Sequence, residues 1–430
     1  MKRVLIVTPN WPPVSCPDMH RVRMSLPFLG EFGWESLILK VDPNEQEGIK
    51  DADLCRTVDN NIRTWQAGCL SKSWTRWLGL KNVGLRSFFH LAQLGNRIIE
   101  EEKPDLVFFS TTMFPLISLG RYWYSKYGLP YVLDFQDPWL SDYQGDRVSF
   151  YQSWKYKGSQ AIASFLEPLA LRRSAHIISV SPGYVDTLLK RYDWLKPEQL
   201  TVLPFGAAET DFTYLKESPV KHTHFDRSDG KQHWVYVGRG GADMGFAVRS
   251  LFQAIGRSRQ QSPDKFSNLM LHFIGTDYAP TARKTIEPIA IEEGVGDIVR
   301  EHPRRVPYFE ALQCLLDADA LIVPGSDDPG YTASKIYPYI LAGKPLLAIF
   351  HEKSSVVSVL QATKAGSAIA FASGAEISEI ADAIETNWLQ ALPPATPQTD
   401  WAAFAPYTAR EMTRQLCNIF QQWKFSDIGL

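Results

Sequence analysis

Short apolar runs recur along this chain, each closed by a loop of Gly, Pro, Asp, Asn or Ser, and segments with helical spacing lie between them. In the first half the runs Val4–Val7, Leu37–Val41, Pro104–Ser110, Tyr131–Asp134, His176–Val180 and Leu200–Leu203 predict strands. The intervening segments Asp18–Phe32, Ile117–Tyr127, Ala161–Arg173 and Tyr184–Tyr192 predict helices. Strands that are apolar without alternation are covered on both faces, so the pattern is that of a doubly wound α/β sheet. From Pro204 to Gln232 the periodicity fails, and the polar, Pro- and Gly-broken segment reads as a linker. The alternation then restarts with strands at Trp234–Val237, Leu269–Gly275, Ile298–Arg300, Ala318–Pro324, Leu346–Phe350 and Ser367–Phe371. Helices are predicted at Gly245–Arg257, Ala282–Gly294, Phe309–Asp317, Ser354–Ala362 and Ala375–Leu389. After the Pro- and Thr-rich tether Leu392–Asp400, a last helix, Tyr407–Trp423, carries Met412, Leu416, Ile419, Phe420 and Trp423 on one stripe. The expected organisation is a first Rossmann-like domain over 1–206, a linker over 207–232 and a second such domain over 233–404.

Length and composition agree with two cores. At 430 residues the chain exceeds one ordinary domain, and 45% hydrophobic with 21% charged content is that of a globular protein. A net charge of −2 excludes a dedicated nucleic-acid binder. Cys16, Cys55, Cys69, Cys314 and Cys417 are scattered and odd in number, which points to free thiols in a reducing, cytoplasmic setting and to no metal site. The N-terminus reads as a first strand rather than a signal peptide, and no stretch approaches ~20 apolar residues. The segment 71–99 stands out: Lys72, Arg76, Lys81, Arg86 and Arg97 alternate with Trp, Leu and Phe, and no acid is present. It suits either the surface of an anionic inner membrane or an amphipathic helix packed on the sheet.

The candidate chemistry lies in loops after strands, where α/β sheets gather ligands. The stretch Pro324–Phe350 reads as strand, polar loop, helix and strand, with Thr332 or Ser334 as N-cap and Gly343 as the stop. The helix start offers unpaired N–H groups to a phosphate, and Lys335 beside it makes sense if an anion binds there. Gly238-Arg239-Gly240-Gly241 follows a strand, with glycines that admit a phosphate and a forked cation to hold it. Arg239 could equally pair with a surface carboxylate. In the first half, Asp134 and Asp137 flank Gln136 at a strand end; Asp137 is the candidate catalytic carboxylate, against the alternative of an Asp capping its own turn. The loop from Pro9 to His20 lies on the same face, and Pro13, His20, Arg21, Asp134 and Gln136 form the candidate acceptor set.

The motifs VLIVTPNWPP, GWESLILKV, KPDLVFF, YVLDFQDPW, ISVSPGY, LTVLPFG, WVYVGRGG, LHFIGT, RVPYFEALQCLLDADALIVP and SKIYPYILAGKPLLAI occur in that order over nearly the whole chain. Together they resemble a glycosyltransferase of the GT-B fold, most like family 4. The resemblance implies two Rossmann-like domains facing a central cleft, with residues 405–430 crossing back to the first domain. It implies a nucleotide-diphosphate sugar as donor substrate, bound by the second domain, and no metal or other cofactor. A glycan or lipid-linked saccharide would be the acceptor, in polysaccharide, lipopolysaccharide or glycolipid assembly, with retention of configuration. Residue by residue it implies donor contacts at Gly238, Arg239, Gly240, Gly241, Gly330, Tyr331, Thr332, Ser334 and Lys335, with Arg304 and Val306 near the nucleobase. The sequence departs from the family where Pro338 and Gly330 replace the Glu residues of its nucleotide motif, and where GGADMGF lacks the Lys expected after Gly-Arg. These departures motivate an alternative, a catalytically silent nucleotide-sugar-binding or scaffold protein. An epimerase of the same fold would need an acid/base set that the sequence does not display.

Overall fold

The computed structural model describes residues 1–46, 48–77, 82–140, 154–277, 279, 281–328 and 335–422. It divides into two compact units, 1–206 with 409–430, and 207–408.

The first unit is built on a seven-stranded sheet. Its strands are β1 (Lys2–Val7), β2 (Trp34–Val41), β3 (Arg63–Ala67), β4 (Leu106–Ser110), β5 (Tyr131–Phe135), β6 (His176–Ser179) and β7 (Leu200–Val202). They run in the order β3-β2-β1-β4-β5-β6-β7, every pair parallel. Its helices include α1 (His20–Leu29), α2 (Val83–Glu102), α3 (Ser118–Tyr127), α4 (Trp154–Leu171) and α5 (Pro182–Arg191). Alternation along β1 divides the core: Leu5 and Val7 pack with Leu91 and Ile98 of α2, while Val4 and Ile6 pack with Val22 of α1 on the other face. The strand β3 is absent from the sequence expectation because it is an edge strand, alternating exposed with half-buried positions until Ala67.

The second unit has a six-stranded sheet of β8 (Gln232–Val237), β9 (Leu269–Ile274), β10 (Val299–His302), β11 (Ala320–Pro324), β12 (Leu346–His351) and β13 (Ser367–Phe371). The order β10-β9-β8-β11-β12-β13 is again all parallel. Its helices include α6 (Glu209–Glu217), α7 (Gly245–Gln261), α8 (Glu287–Glu292), α9 (Tyr308–Asp317), α10 (Ile336–Leu341), α11 (Ser355–Thr363) and α12 (Ile377–Asn387). The final helix, α13 (Ala409–Gln421), belongs to the first unit. It buries Met412, Leu416, Ile419 and Phe420, each contributing about 2 kcal/mol of apolar burial. Phe420 meets Trp34 and Phe108 edge-on at 5.3 and 5.2 Å.

Two expectations differ from the structure, and for 71–99 the packed-helix alternative is the one met. The segment 207–232 is no bare linker: α6 buries Phe212 and Leu215, and buried Asp211 accepts a hydrogen bond from Tyr308 Oη at 2.8 Å. Further on, Phe225 lies 4.8 Å from the His233 ring, over the sheet. Polar residues hid this docking because their partners are distant in sequence. The helix expected from Ala282 shrinks to α8, with Pro288 in its first turn. In 71–99, a short helix Lys72–Trp77 precedes α2, whose Leu91, Gly95, Ile98 and Ile99 pack into the core. Arg86 is buried too, paired with Glu45 Oε2 at 2.5 Å and donating to Leu70 O. Among the described residues no helix is long and apolar enough to cross a membrane.

Candidate functional site

The parallel register of the second sheet brings the loops after β8, β9 and β10 to one edge, and Lys335 stands immediately before α10. Tyr339 Oη anchors α10 to the end of β8, donating to Val237 O at 3.0 Å and accepting from Val237 N at 2.7 Å. Lys335 Nζ is thereby carried against Gly238, 2.8 Å from where a Cβ on that glycine would sit. Burial pushes the Lys335 ammonium down to about 7, and the Arg239 and Arg305 charges add to the shift. Its Nζ is buried with no hydrogen-bond partner among the described residues. A lysine so placed is stable only at a cost that an anion would relieve.

Arg239 forms a forked pair with Asp243, Nη1 to Oδ1 at 2.9 Å and Nη2 to Oδ2 at 2.6 Å, which holds the Asp243 carboxyl below its ordinary range. The carboxylate alternative for Arg239 is therefore realised, and it fixes the guanidinium in the plane of this turn. Gly241 must lack a side chain, since a Cβ there would stand 2.4 Å from Asp243 Oδ1. The Gly240 N–H donates to Thr276 O at 2.7 Å, so this amide, expected to face a ligand, is already engaged. Behind it, buried Glu301 accepts from Thr276 Oγ1 at 2.6 Å and from the amides of Thr285, Ile286 and Glu287.

Arg304 and Arg305 are exposed after β10 and Val306 is half-buried; of the three, the Arg305 charge acts on Lys335. Gly330, Tyr331, Thr332 and Ser334 lie outside the described residues. The described part of α10 is six residues, too short for the helix-terminus argument made from sequence, so the cations dominate this edge. Pro338 is half-buried as the third residue of α10, where a proline costs least; its carbonyl accepts from the Ala342 amide.

In the first unit the candidate acceptor set separates. Arg21 is fully buried: Nε donates to Asp134 Oδ2 at 2.8 Å, Nη2 donates to Leu203 O at 2.6 Å, and the guanidinium lies 4.9 Å from the Phe205 ring. Asp134 Oδ2 also accepts from Ser110 Oγ at 2.8 Å and Gln136 Nε2 at 2.9 Å. Arg21, Asp134 and Gln136, assigned from sequence to acceptor contact, form a buried tie between α1, β4, β5 and the segment after β7. The physical reason is that an isolated buried charge is unaffordable, so these groups satisfy one another. Pro13 is half-buried with its carbonyl accepting from Asp51 N at 2.7 Å, and His20 is half-buried with Nδ1 3.3 Å from Arg23 Nη2.

Asp137 is exposed just past β5. The surrounding protein pushes its carboxyl above the ordinary range, and the Asp18 carboxylate adds to this. Asp18, not singled out from sequence, is buried and held by Asn10 Nδ2 at 2.9 Å and by the amide and hydroxyl of Thr112, both at 3.2 Å. Its burial also raises its carboxyl pKa. Burial and the repulsion from Asp18 raise the proton affinity of Asp137, so its ionised carboxylate is a stronger base toward a hydroxyl than an ordinary aspartate. The turn carrying Asp137 is held from behind: the Trp139 amide donates to Tyr184 Oη at 3.2 Å and the Leu140 amide to Glu167 at 3.2 Å. Glu167 is fully buried and also takes Arg191 Nη1 at 2.9 Å and Tyr192 Oη at 2.8 Å. Among the described residues no cluster of three or more His, Cys, Asp or Glu could hold a metal ion.

Residues 32–206 match the model of the glycosyl transferase 4-like domain. No curated protein matches the chain by sequence. Among solved structures, Anabaena HepE in complex with UDP-glucose superposes with a TM-score of 0.59 at 14% identity, covering 98% of this chain and 100% of HepE. The UDP-forming α,α-trehalose-phosphate synthase of Burkholderia vietnamiensis gives 0.60 at 14% identity over 99% and 98% of the two chains. A putative UDP-N-acetylglucosamine 2-epimerase from Listeria monocytogenes gives 0.51 at 11% identity over 100% of both. At these identities the likeness is one of fold. The chain therefore has the GT-B fold, two Rossmann-like units, and over residues 32–206 it is similar to the glycosyl transferase 4-like domain.

Proposed function

We propose that the chain is a sugar transferase that draws on a nucleoside-diphosphate sugar. The observation that carries the reading is Lys335: a buried ammonium without a hydrogen-bond partner among the described residues, beside Gly238 and within the field of Arg239 and Arg305. Such a cluster suits a diphosphate. As the bond from sugar C1 to the diphosphate oxygen breaks, Lys335, Arg239 and Arg305 stabilise the charge that develops there. The acceptor oxygen bonds C1, and its proton passes to Asp137, whose raised carboxyl suits a base. The protein supplies this charge stabilisation from its own cations, so the reading is metal-independent; the family resemblance supports retention, which in this single step requires the acceptor oxygen to enter on the face that the diphosphate leaves. The acceptor we infer is a glycan or lipid-linked saccharide of surface polysaccharide or glycolipid assembly. Five free cysteines suit a cytoplasmic setting.

A second reading, a binding protein without turnover, is favoured by Pro338, which offers no side-chain acceptor to a ribose hydroxyl. Titration with UDP, GDP and TDP, followed by assay of nucleotide release from the matching sugar donors, separates the two. Diphosphate affinity with release from a donor supports the transferase. Affinity without release in the presence of glycan and lipid-linked acceptors supports the binding protein, and no affinity for any nucleoside diphosphate overturns both.

A further inference from the structure

Three helices of the first unit leave an apolar face uncovered. A groove of about 540 Å³ runs between α2, α3 and α4. Around it Phe89 is 69% exposed, Phe165 71%, Ile162 52%, Tyr122 42% and Leu169 39%. These are five of the nine large apolar side chains that are strongly exposed among the described residues, so the surface is a patch and not a scatter.

The helix α4 is the unusual member. A surface helix normally turns charge outward, but the exposed positions Ala161, Ile162, Ser164, Phe165 and Leu169 carry none. Its one acid, Glu167, is buried and committed to Arg191 and Tyr192. Cations close the apolar stretch at its C-terminal end, with Arg172 and Arg173 directly after Leu171. Arg121 is the one charged residue lining the groove. At its Tyr122 end, Lys126 Nζ lies 6.0 Å from that ring, 4.7 Å from Tyr127 and 3.9 Å from Glu100 Oε1, so its charge is shared with that acid. The acids of α2, Glu100 and Glu101, lie near its C-terminus beyond the lining residues, and Glu100 accepts from Tyr127 Oη.

An uncharged, aromatic face with a cationic border and few acids matches the chemistry of one partner. We propose that the α2–α3–α4 face docks on an anionic phospholipid bilayer, seating Phe89, Ile162 and Phe165 at the acyl boundary and the bordering cations among the headgroups. A second copy docked face to face would bring the cations of both copies together, which disfavours self-association as the occupant. The surface differs from that expected for 71–99, because one side of α2 is core and α4 supplies most of the exposed apolar area. The inference stands apart from the transferase reading, since no donor or acceptor contact enters it.

The test is flotation of the full chain with vesicles of phosphatidylcholine mixed with phosphatidylglycerol, against vesicles of phosphatidylcholine alone. The wild type should float with the anionic vesicles, less with the neutral ones, and less at high salt. Phe165→Ser and Phe89→Ser should each lower the partition coefficient about tenfold or more. Both residues are solvent-facing, so circular dichroism and Tm should be unchanged; Ile162→Ser serves as the third variant should either disturb the fold. A wild type that stays unbound, or variants that float as it does, overturns the proposal. So does sedimentation revealing a dimer that Phe165→Ser dissociates while vesicle binding is untouched.

Discussion

Replacing Lys335 with methionine should make the protein more stable and less able to bind a diphosphate. The Nζ falls from an ordinary 10.5 to about 7 in the folded chain. The unfolded chain therefore holds a proton that the folded chain releases between those values. For a lysine shifted down, the stability penalty is complete below pH 7, shrinks as pH rises, and is gone above 10.5. At about 1.4 kcal/mol per unit, removing the ammonium is worth up to about 4 kcal/mol at neutral pH. Methionine keeps the length of the side chain without its charge. Urea unfolding should give Lys335→Met a higher midpoint than wild type at pH 7, with the slope unchanged, and the difference should fade toward pH 10.5. Turnover should fall about 100-fold or more, the scale of one preorganised charge contact. In the wild type, nucleoside-diphosphate affinity should weaken above about pH 7, and binding there should take up a proton, measurable by calorimetry in buffers of different ionisation enthalpy. A methionine variant that is less stable at pH 7 and binds the diphosphate normally would refute the reasoning, because Lys335 would then be a structural residue.

Asp137→Asn should lower transfer at least about 100-fold while leaving nucleotide affinity intact, as loss of a general base does. Because the Asp137 carboxyl is raised, the acid limb of the pH–rate profile should lie above its ordinary 3.8; a limb at or below that value argues against Asp137 as the base. Gly238→Ala places a methyl 2.8 Å from Lys335 Nζ and 2.7 Å from Tyr236 Oη, and should weaken diphosphate binding about tenfold, read by titration. Asp134→Ala strands the buried Arg21 charge and should cost about 3 kcal/mol in unfolding experiments, with nucleotide affinity unchanged; wild-type stability with lost transfer would return Asp134 to the acceptor set.

The strands were legible because a parallel strand buried on both faces, such as Leu106–Ser110, announces itself as an unbroken apolar run. The edge strand Arg63–Ala67 has a solvated side and so reads as loop. The helix Glu209–Glu217 looked like linker because its buried Asp211 is satisfied by Tyr308, 97 positions away. The candidate site follows the same division. Local signals marked Gly238, Arg239 and Asp137 beside strand ends, and Lys335 at a helix start. Asp134 also sits at a strand end and Arg21 opens α1, but 113 residues separate them, and nothing local says that each is the other's counter-charge. Asp18 and Glu167 were missed for that reason in reverse: each looks like an ordinary surface acid until the loops it holds are brought together by the sheet.

The departure from the family pattern at Gly238-Arg239 acquires a physical account. GGADMGF lacks the lysine expected after Gly-Arg, yet a cation is present at that edge, delivered from the segment before α10. Its arrival imposes two conditions elsewhere. Position 238 must have no Cβ, because Lys335 Nζ and Tyr236 Oη occupy the space one would fill. The segment leading into α10 must also be pinned, which Tyr339 achieves through both backbone groups of Val237. A lysine restored within the GGADMGF segment, 240–246, should therefore not rescue Lys335→Met unless its ammonium reaches the same space beside Gly238. Glycine 238, Tyr339 and Lys335 act as one unit, and Tyr339→Phe tests it: with both Val237 bonds gone, Lys335 loses its register, so diphosphate affinity should fall while the ammonium itself remains. Unchanged affinity in Tyr339→Phe would mean that Lys335 is positioned by its own packing alone.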